Sequence, residues 1–251
     1  MKILRSIGEV IAGEILPRLP YSVMKGPLKG FKFILGSLSG KGGGATVYFN
    51  LIEPIQTQSF IKAVKKGNVL FDVGANVGYY TVLGSKLVGS EGKVFSFEPL
   101  VRNISYLYRH VEINKLENVN IIPCACSDSF AIVNFVQENN TAMGHIEDKI
   151  ANSSNIKMTV ALSITLDEVA TKLNIKPSVL KIDVEGAELS VLHGAEAIIS
   201  NLKPFIFLSV HSDLLRTECL NYLSKFGYKF EPLQENLDIE NSMEFLCMPS
   251  N

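Results

Sequence analysis

The sequence predicts a doubly wound α/β fold built on a mostly parallel seven-stranded sheet, and three observations carry that prediction. Short apolar runs alternate with amphipathic stretches of helical period from residue 69 to residue 226, the pattern of a parallel sheet covered by helices on both faces. The first run, Val69-Leu70-Phe71-Asp72-Val73, turns through Gly74-Ala75-Asn76-Val77-Gly78 straight into a helix. The second, Lys93-Val94-Phe95-Ser96-Phe97-Glu98, ends on another acid.

Residues 1–66 are read as a helical and strand segment packing on the core, and residues 67–251 as the domain itself. Apolar residues at 3, 4, 7, 10, 11 and 15 trace a helical stripe suited to packing on the domain, on a second subunit or weakly against a membrane surface. Glu9 and Glu14 interrupt it, which argues against a signal peptide, and no run reaches the ~20 apolar residues of a membrane span. Residues 25–47, with Gly-Lys-Gly-Gly-Gly at 40–44, read as short strands around a lid loop. Ile52 to Lys66 reads as a helix, with Glu53 near its positive start and Lys62, Lys65 and Lys66 near its negative end.

Strands then follow at 69–73, 93–97, 119–125, 178–183 and 204–210, with helices at 77–88, 101–115, 165–174, 186–200 and 212–226. The interval 129–164 breaks this order, and its alternating runs at 131–136 and 157–162 predict an inserted hairpin. Tyr228 to Pro232 and Glu244 to Met248 predict antiparallel strands closing the sheet edge.

At 251 residues and 47% hydrophobic, the chain suits one α/β domain with a full core. A formal charge of −1 supplies no global field for nucleic acid, and none is expected as a partner. Cys124, Cys126, Cys219 and Cys247 show no C-x-x-C pair and no metal-ligand spacing, so they read as reduced core thiols and point to the cytoplasm.

The glycine spacing separates cofactor classes. Gly74 and Gly78 let backbone approach a ligand, with the N–H groups opening the next helix facing the same place. A pyrophosphate needs G-x-G-x-x-G, whereas this turn is Gly74-x-Asn76-x-Gly78 with no P-loop lysine after it, so NAD, ATP and GTP are disfavoured. Asp72 ahead of such a turn suits a zwitterionic amino-acid tail without phosphate, as in S-adenosylmethionine. Glu98, 20 residues beyond Gly78, suits a ribose diol. On this reading a side chain at Gly74 harms binding more than folding, because it fills space the ligand's tail needs.

Several runs together resemble the FkbM-type family of S-adenosylmethionine-dependent methyltransferases: Phe71 to Thr81, Phe97-Glu98-Pro99 with Asn103, Ser127-Asp128, Thr165-Leu166-Asp167, and Lys181-Ile182-Asp183-Val184-Glu185-Gly186-Ala187-Glu188. Gly26-Pro27-Leu28-Lys29-Gly30 and Glu53-Pro54 resemble its amino-terminal pattern, so the likeness spans roughly residues 25–230. Val101 departs from it, standing where many relatives carry a second proline.

The resemblance implies a class I, Rossmann-like methyltransferase whose cofactor is held by Asp72, Gly74, Ala75, Asn76, Gly78, Tyr79, Thr81, Glu98, Pro99, Asn103, Ser127 and Asp128. In it Glu98 takes the ribose hydroxyls, Asp128 the adenine amino group, Gly74 to Gly78 the methionine tail, and Asp72 orients that tail. It also implies O-methylation of a sugar, glycan or other small polar metabolite. The same cofactor half would serve transfer to nitrogen or carboxylate, and a non-catalytic nucleotide-binding or scaffold module is the alternative of another class.

Transfer to an alcohol needs a base, and Asp183, Glu185 and His211, on adjacent strand ends, are the candidates; His211, titrating near neutrality, suits the task. The same three could ligate a divalent cation, although no metal is assigned. Glu188 is read as a first-turn carboxylate stabilising its helix, and His145 as a residue of the acceptor pocket.

Overall fold

The computed structural model describes residues 17–37, 45–137, 144–147 and 157–250. The stripe at 3–15 and the glycines at 40–44 lie outside them.

In chain order the strands are β1 (Pro20–Ser22), β2 (Lys32–Ile34), β3 (Val69–Val73), β4 (Lys93–Phe97), β5 (Val119–Ile122), β6 (Ala125–Cys126), β7 (Ala131–Gln137), β8 (Gly144–Glu147), β9 (Lys157–Ile164), β10 (Val179–Ile182), β11 (Phe205–Ser209), β12 (Tyr228–Pro232) and β13 (Glu244–Pro249). The helices are α1 (Pro54–Ala63), α2 (Tyr79–Val88), α3 (Val101–Ile113), α4 (Leu166–Lys172), α5 (Glu188–His193), α6 (Glu196–Asn201) and α7 (Asp213–Ser224). A 3-10 turn covers Ala45–Phe49.

The main sheet has seven strands in the order β12-β13-β11-β10-β3-β4-β5. Its pairs are parallel from β11 through β5, and β13 runs antiparallel to both neighbours, closing the edge as expected. Side chains alternate between the faces along each strand. Phe71, Val73, Leu180, Ile182, Ile206 and Leu208 enter one buried cluster with residues of α4 to α7. Leu70, Val94, Val179, Phe207 and Leu246 enter the other, with α2 and with Val23, Leu28, Phe33, Tyr48 and Phe60 of the amino-terminal segment. The segment is therefore a wall of the second core.

Buried His110 ties that segment to the turn after β3. Its Nδ1–H donates to the Val77 carbonyl (2.7 Å) and its Nε2 accepts the Ile34 N–H (3.0 Å), which requires the neutral ring. Burial accordingly pushes its pKa down to about 4.

Three elements differ from expectation. The strand predicted over 119–125 ends at Ile122, since Pro123 has no N–H for the ladder, and β6 pairs with β9 instead. The predicted hairpin is accordingly a four-stranded sheet, β6-β9-β7-β8, with His145 opposite Val136. The helix predicted over 186–200 is broken into α5 and α6 at Gly194, whose missing side chain admits the Ser127 carbonyl; a Cβ there would sit 2.0 Å from that oxygen.

Candidate active site

Strand β3 lies between β4 and β10, so the chain leaves it toward one edge and returns on the other side. Such a switch point opens a crevice at the carboxyl ends of the strands. Gly74 and Asp183 stand there. Gly74 has φ +78°, and a Cβ on it would lie 1.8 Å from the Asp183 carbonyl oxygen. The space the sequence reading reserved for a ligand is thus filled by neighbouring backbone.

The turn's N–H groups are also engaged. Those of Gly74 and Ala75 donate to the Phe97 carbonyl (3.0 and 2.9 Å), that of Asn76 to Glu98 Oε2 (2.8 Å), and that of Val77 to its neighbour Asn76 Oδ1 (2.8 Å). The first three lock the end of β3 to the end of β4, and none of the four stands open. Gly78, at φ 96°, then opens α2.

Asp72 is 2% exposed and accepts the Thr81 hydroxyl (2.6 Å), which contacts Ser96 Oγ (2.8 Å). Burial raises its pKa to about 6 against the opposing pull of Thr81 and Lys181. Glu98 is also buried, accepting the N–H groups of Asn76 and Leu100 (2.8 Å each) and the Asn103 amide (3.4 Å). Burial outweighs those donors and lifts it to about 7. Asn103 therefore braces Glu98 from inside α3, and Pro99 links the two.

A cavity of about 130 Å³ opens beside this turn, walled by Glu53, Asp72, Gly74, Ala75, Asn76, Tyr79, Tyr80, Lys181 and Asp183 among others. Three carboxylates face one ammonium, and that ammonium is taken: Lys181 Nζ, 1% exposed, lies 3.1 Å from both Asp183 Oδ2 and Ser209 Oγ. A wall so charged fits a ligand end carrying positive charge, as S-adenosylmethionine does in its sulfonium and its α-ammonium.

The three candidate bases do converge. His211 Nε2 lies 3.1 Å from Glu185 Oε2 and 3.6 Å from Asp183 Oδ1, and one donor atom from each of the three falls within 4.8 Å of the others, dimensions that also suit a divalent cation. Glu185 reaches this place with φ +56°. Behind the ring, His211 Nδ1 lies 2.7 Å from Glu188 Oε1, which also accepts the Gly186 N–H (2.9 Å). Burial lowers the His211 pKa, but the carboxylates of Glu188, Glu185 and Asp183 outweigh it and the net shift is upward.

Ser127 and Asp128 are not brought to this cavity. They line a separate hollow of about 510 Å³ between the inserted sheet and the loop after β10, with Ser129, Ser163, Gly186 and Ser190. Asp128 is exposed there and accepts the hydroxyls of Ser127 (3.4 Å) and Ser129 (2.9 Å).

Sequence reasoning missed three residues. Glu188, read as a helix-start carboxylate, is fully buried under His211. Lys181 had a visible signal, a lone charge inside the apolar run Val179-Leu180-Lys181-Ile182, because a fully buried lysine must be paired. Glu53 had none beyond its Glu-Pro pair at a helix start.

The comparisons with known proteins converge on one family. Residues 72–230, more than half of the chain, match the model of the methyltransferase FkbM domain. The hexuronic acid methyltransferase AglP of Haloferax volcanii is 27% identical over 181 residues, covering 71% of this chain and 70% of that protein. The structure of methyltransferase FkbM from Methylobacillus flagellatus KT superposes with a TM-score of 0.53 at 17% identity over 81% of this chain. This chain spans only about half (53%) of that longer one, and the likeness speaks for the fold. No helix among the described residues is long and apolar enough to cross a membrane. The chain belongs to the FkbM methyltransferase family, and S-adenosylmethionine is its methyl donor.

Proposed function

We propose that this methyltransferase acts on a hydroxyl group of a sugar, glycan or related small polar metabolite. The observation that carries this reading is the cluster of His211, Asp183 and Glu185 beside the cavity at the end of β3, which can take the proton that a hydroxyl acceptor must lose. The relative named for a hexuronic acid supports a sugar. Four free, buried cysteines are compatible with work in a reducing cytoplasm.

S-adenosylmethionine, when bound, supplies an electrophilic methyl group, which leaves alignment and proton removal to the chain. Neutral His211 takes the acceptor's proton at Nε2, while Glu188 holds Nδ1–H and so fixes the tautomer. Asp183 and Glu185 stabilise the imidazolium that results. Lys181 holds Asp183 in place. Release of S-adenosylhomocysteine from the purified protein, screened against glycans, nucleotide sugars and lipid-linked sugars, tests the acceptor class. Turnover with amines or carboxylates alone would reassign the reaction; cofactor binding with no turnover on any acceptor would favour a non-catalytic module.

For the cofactor half, Glu98→Ala is expected to weaken S-adenosylmethionine binding by about 1–3 kcal/mol in calorimetry, the cost of losing charge-assisted hydrogen bonds to the ribose. Because burial holds Glu98 near 7, its acceptor form predominates only above that value. Cofactor affinity should rise between about pH 6 and 8 in the wild type and flatten in Glu98→Gln. The sign for stability is opposite: a carboxylate raised above its unfolded value stabilises the cofactor-free fold at low pH and loses that contribution as pH rises through about 7. Unchanged affinity in Glu98→Ala removes the ribose assignment.

A further inference from the structure

We propose that Glu53, from the segment ahead of the family-matched residues, binds the α-ammonium group of the cofactor's methionine tail. The acid that sequence logic assigns to this tail is Asp72, yet Asp72 is almost fully buried and committed to Thr81. Asp183, the next carboxylate on the cavity wall, is paired with Lys181. Glu53 is the remaining acid of that wall, half-buried, ahead of helix α1 and close enough to Lys181 to feel its charge.

Its backbone conformation is not explained by capping helix α1. Glu53 stands at the N-cap with φ 37° and ψ 63°, a left-handed conformation unfavourable to a residue other than glycine, and its side chain makes no capping bond. Strain of this kind persists where the surroundings enforce it, commonly at ligand sites. The carboxylate caps no backbone N–H of the helix; its Oε2 accepts the Tyr80 hydroxyl at 2.7 Å and, at 2.5 Å, the side-chain amide of Gln56 in the first turn of α1. Both donors fall on Oε2 alone, and a carboxylate accepts about four hydrogen bonds in all. Tyr80 sits in the first turn of α2, so Glu53 is pinned to the element that the glycine turn begins. A negative side chain held rigidly at the rim of an acid-rich cavity is built for a cation, and the cationic end of an α-amino acid is the one this cofactor offers there.

The proposal rests on the cofactor and not on the acceptor, so a failed acceptor screen leaves it standing. The test is a cycle of calorimetric titrations with wild type and Glu53→Gln against S-adenosylhomocysteine and its analogue lacking the α-amino group. Removing the amine is expected to weaken binding by about tenfold or more in the wild type and by less than about twofold in Glu53→Gln, since only the charged carboxylate makes the charge-assisted bond. Equal discrimination in both proteins overturns the proposal, as does a wild type indifferent to the amine, a result readable even if Glu53→Gln does not fold. Tyr80→Phe, which keeps the acid but removes a donor that orients it, should retain discrimination in reduced measure; loss of affinity for both ligands alike would mark Glu53 and Tyr80 as support for the fold only.

Discussion

Replacing His211 with alanine is expected to lower turnover by about 10²–10⁴-fold while S-adenosylmethionine affinity stays within about twofold, the usual share of a general base in a transfer of this kind. The expectation follows from the ring's two nitrogens: Nδ1 is anchored on buried Glu188, so Nε2 alone faces the crevice, between Asp183 and Glu185. Those carboxylates favour the imidazolium and lift the pKa above its ordinary 6.5. Neutral imidazole is the working base, so kcat/KM should climb with pH through a midpoint above 6.5, and that acid limb should vanish in His211→Ala. Stability runs the other way. A histidine whose folded pKa is raised stabilises the fold below its unfolded value, and that contribution is lost as pH rises through the folded one. Assays with a chelator and then with added Mg²⁺ separate a base from a cation ligand: activity indifferent to chelation supports the base, whereas activity lost on chelation and restored by Mg²⁺ assigns Asp183, Glu185 and His211 to a metal. Unchanged turnover in alanine variants of all three leaves alignment as the sole catalytic device.

Gly74→Ala should be the most damaging change to the fold. Alanine at φ +78° is strained wherever it stands, and here its Cβ would lie 1.8 Å from the Asp183 carbonyl oxygen, so the ends of β3 and β10 must part. A loss of about 3 kcal/mol or more follows, seen as a fall of roughly 6–12 °C in Tm for a domain of this size. Thermal melts with and without S-adenosylmethionine check it. A variant that melts like the wild type yet no longer gains stability from the cofactor would return Gly74 to the ligand-facing role read from sequence.

The parts of this molecule legible in its sequence are those whose signals are local. Strand period, glycine turns and acids at strand ends placed Asp72, Glu98, Asp183 and His211 on one rim, because the topology of a parallel sheet fixes which ends of the strands share a side. Pro123 was legible too, had its missing N–H been weighed against the apolar run around it. Pairings between distant residues left no such trace. Nothing near Glu188 announces that its carboxyl group meets a ring 23 residues later, and nothing near Gly74 says that its open side is taken up by the backbone of Asp183. The turn motif reads as ligand-binding because small residues there serve two purposes, close approach of a ligand and close approach of the chain to itself, and local sequence cannot tell them apart.

The shared cluster on the second face of the sheet has a consequence for the order of events at the ribosome. Leu28, Phe33 and Phe60 are made well before Phe207 and Leu246, which share their buried cluster. Until then those side chains have no complete surface to cover them, and contacts so distant along the chain form slowly. Leu28, Phe33 and Phe60 therefore wait, exposed and adhesive, until strands more than a hundred residues downstream have been made, so that side chains translated ahead of the sheet are committed only after it.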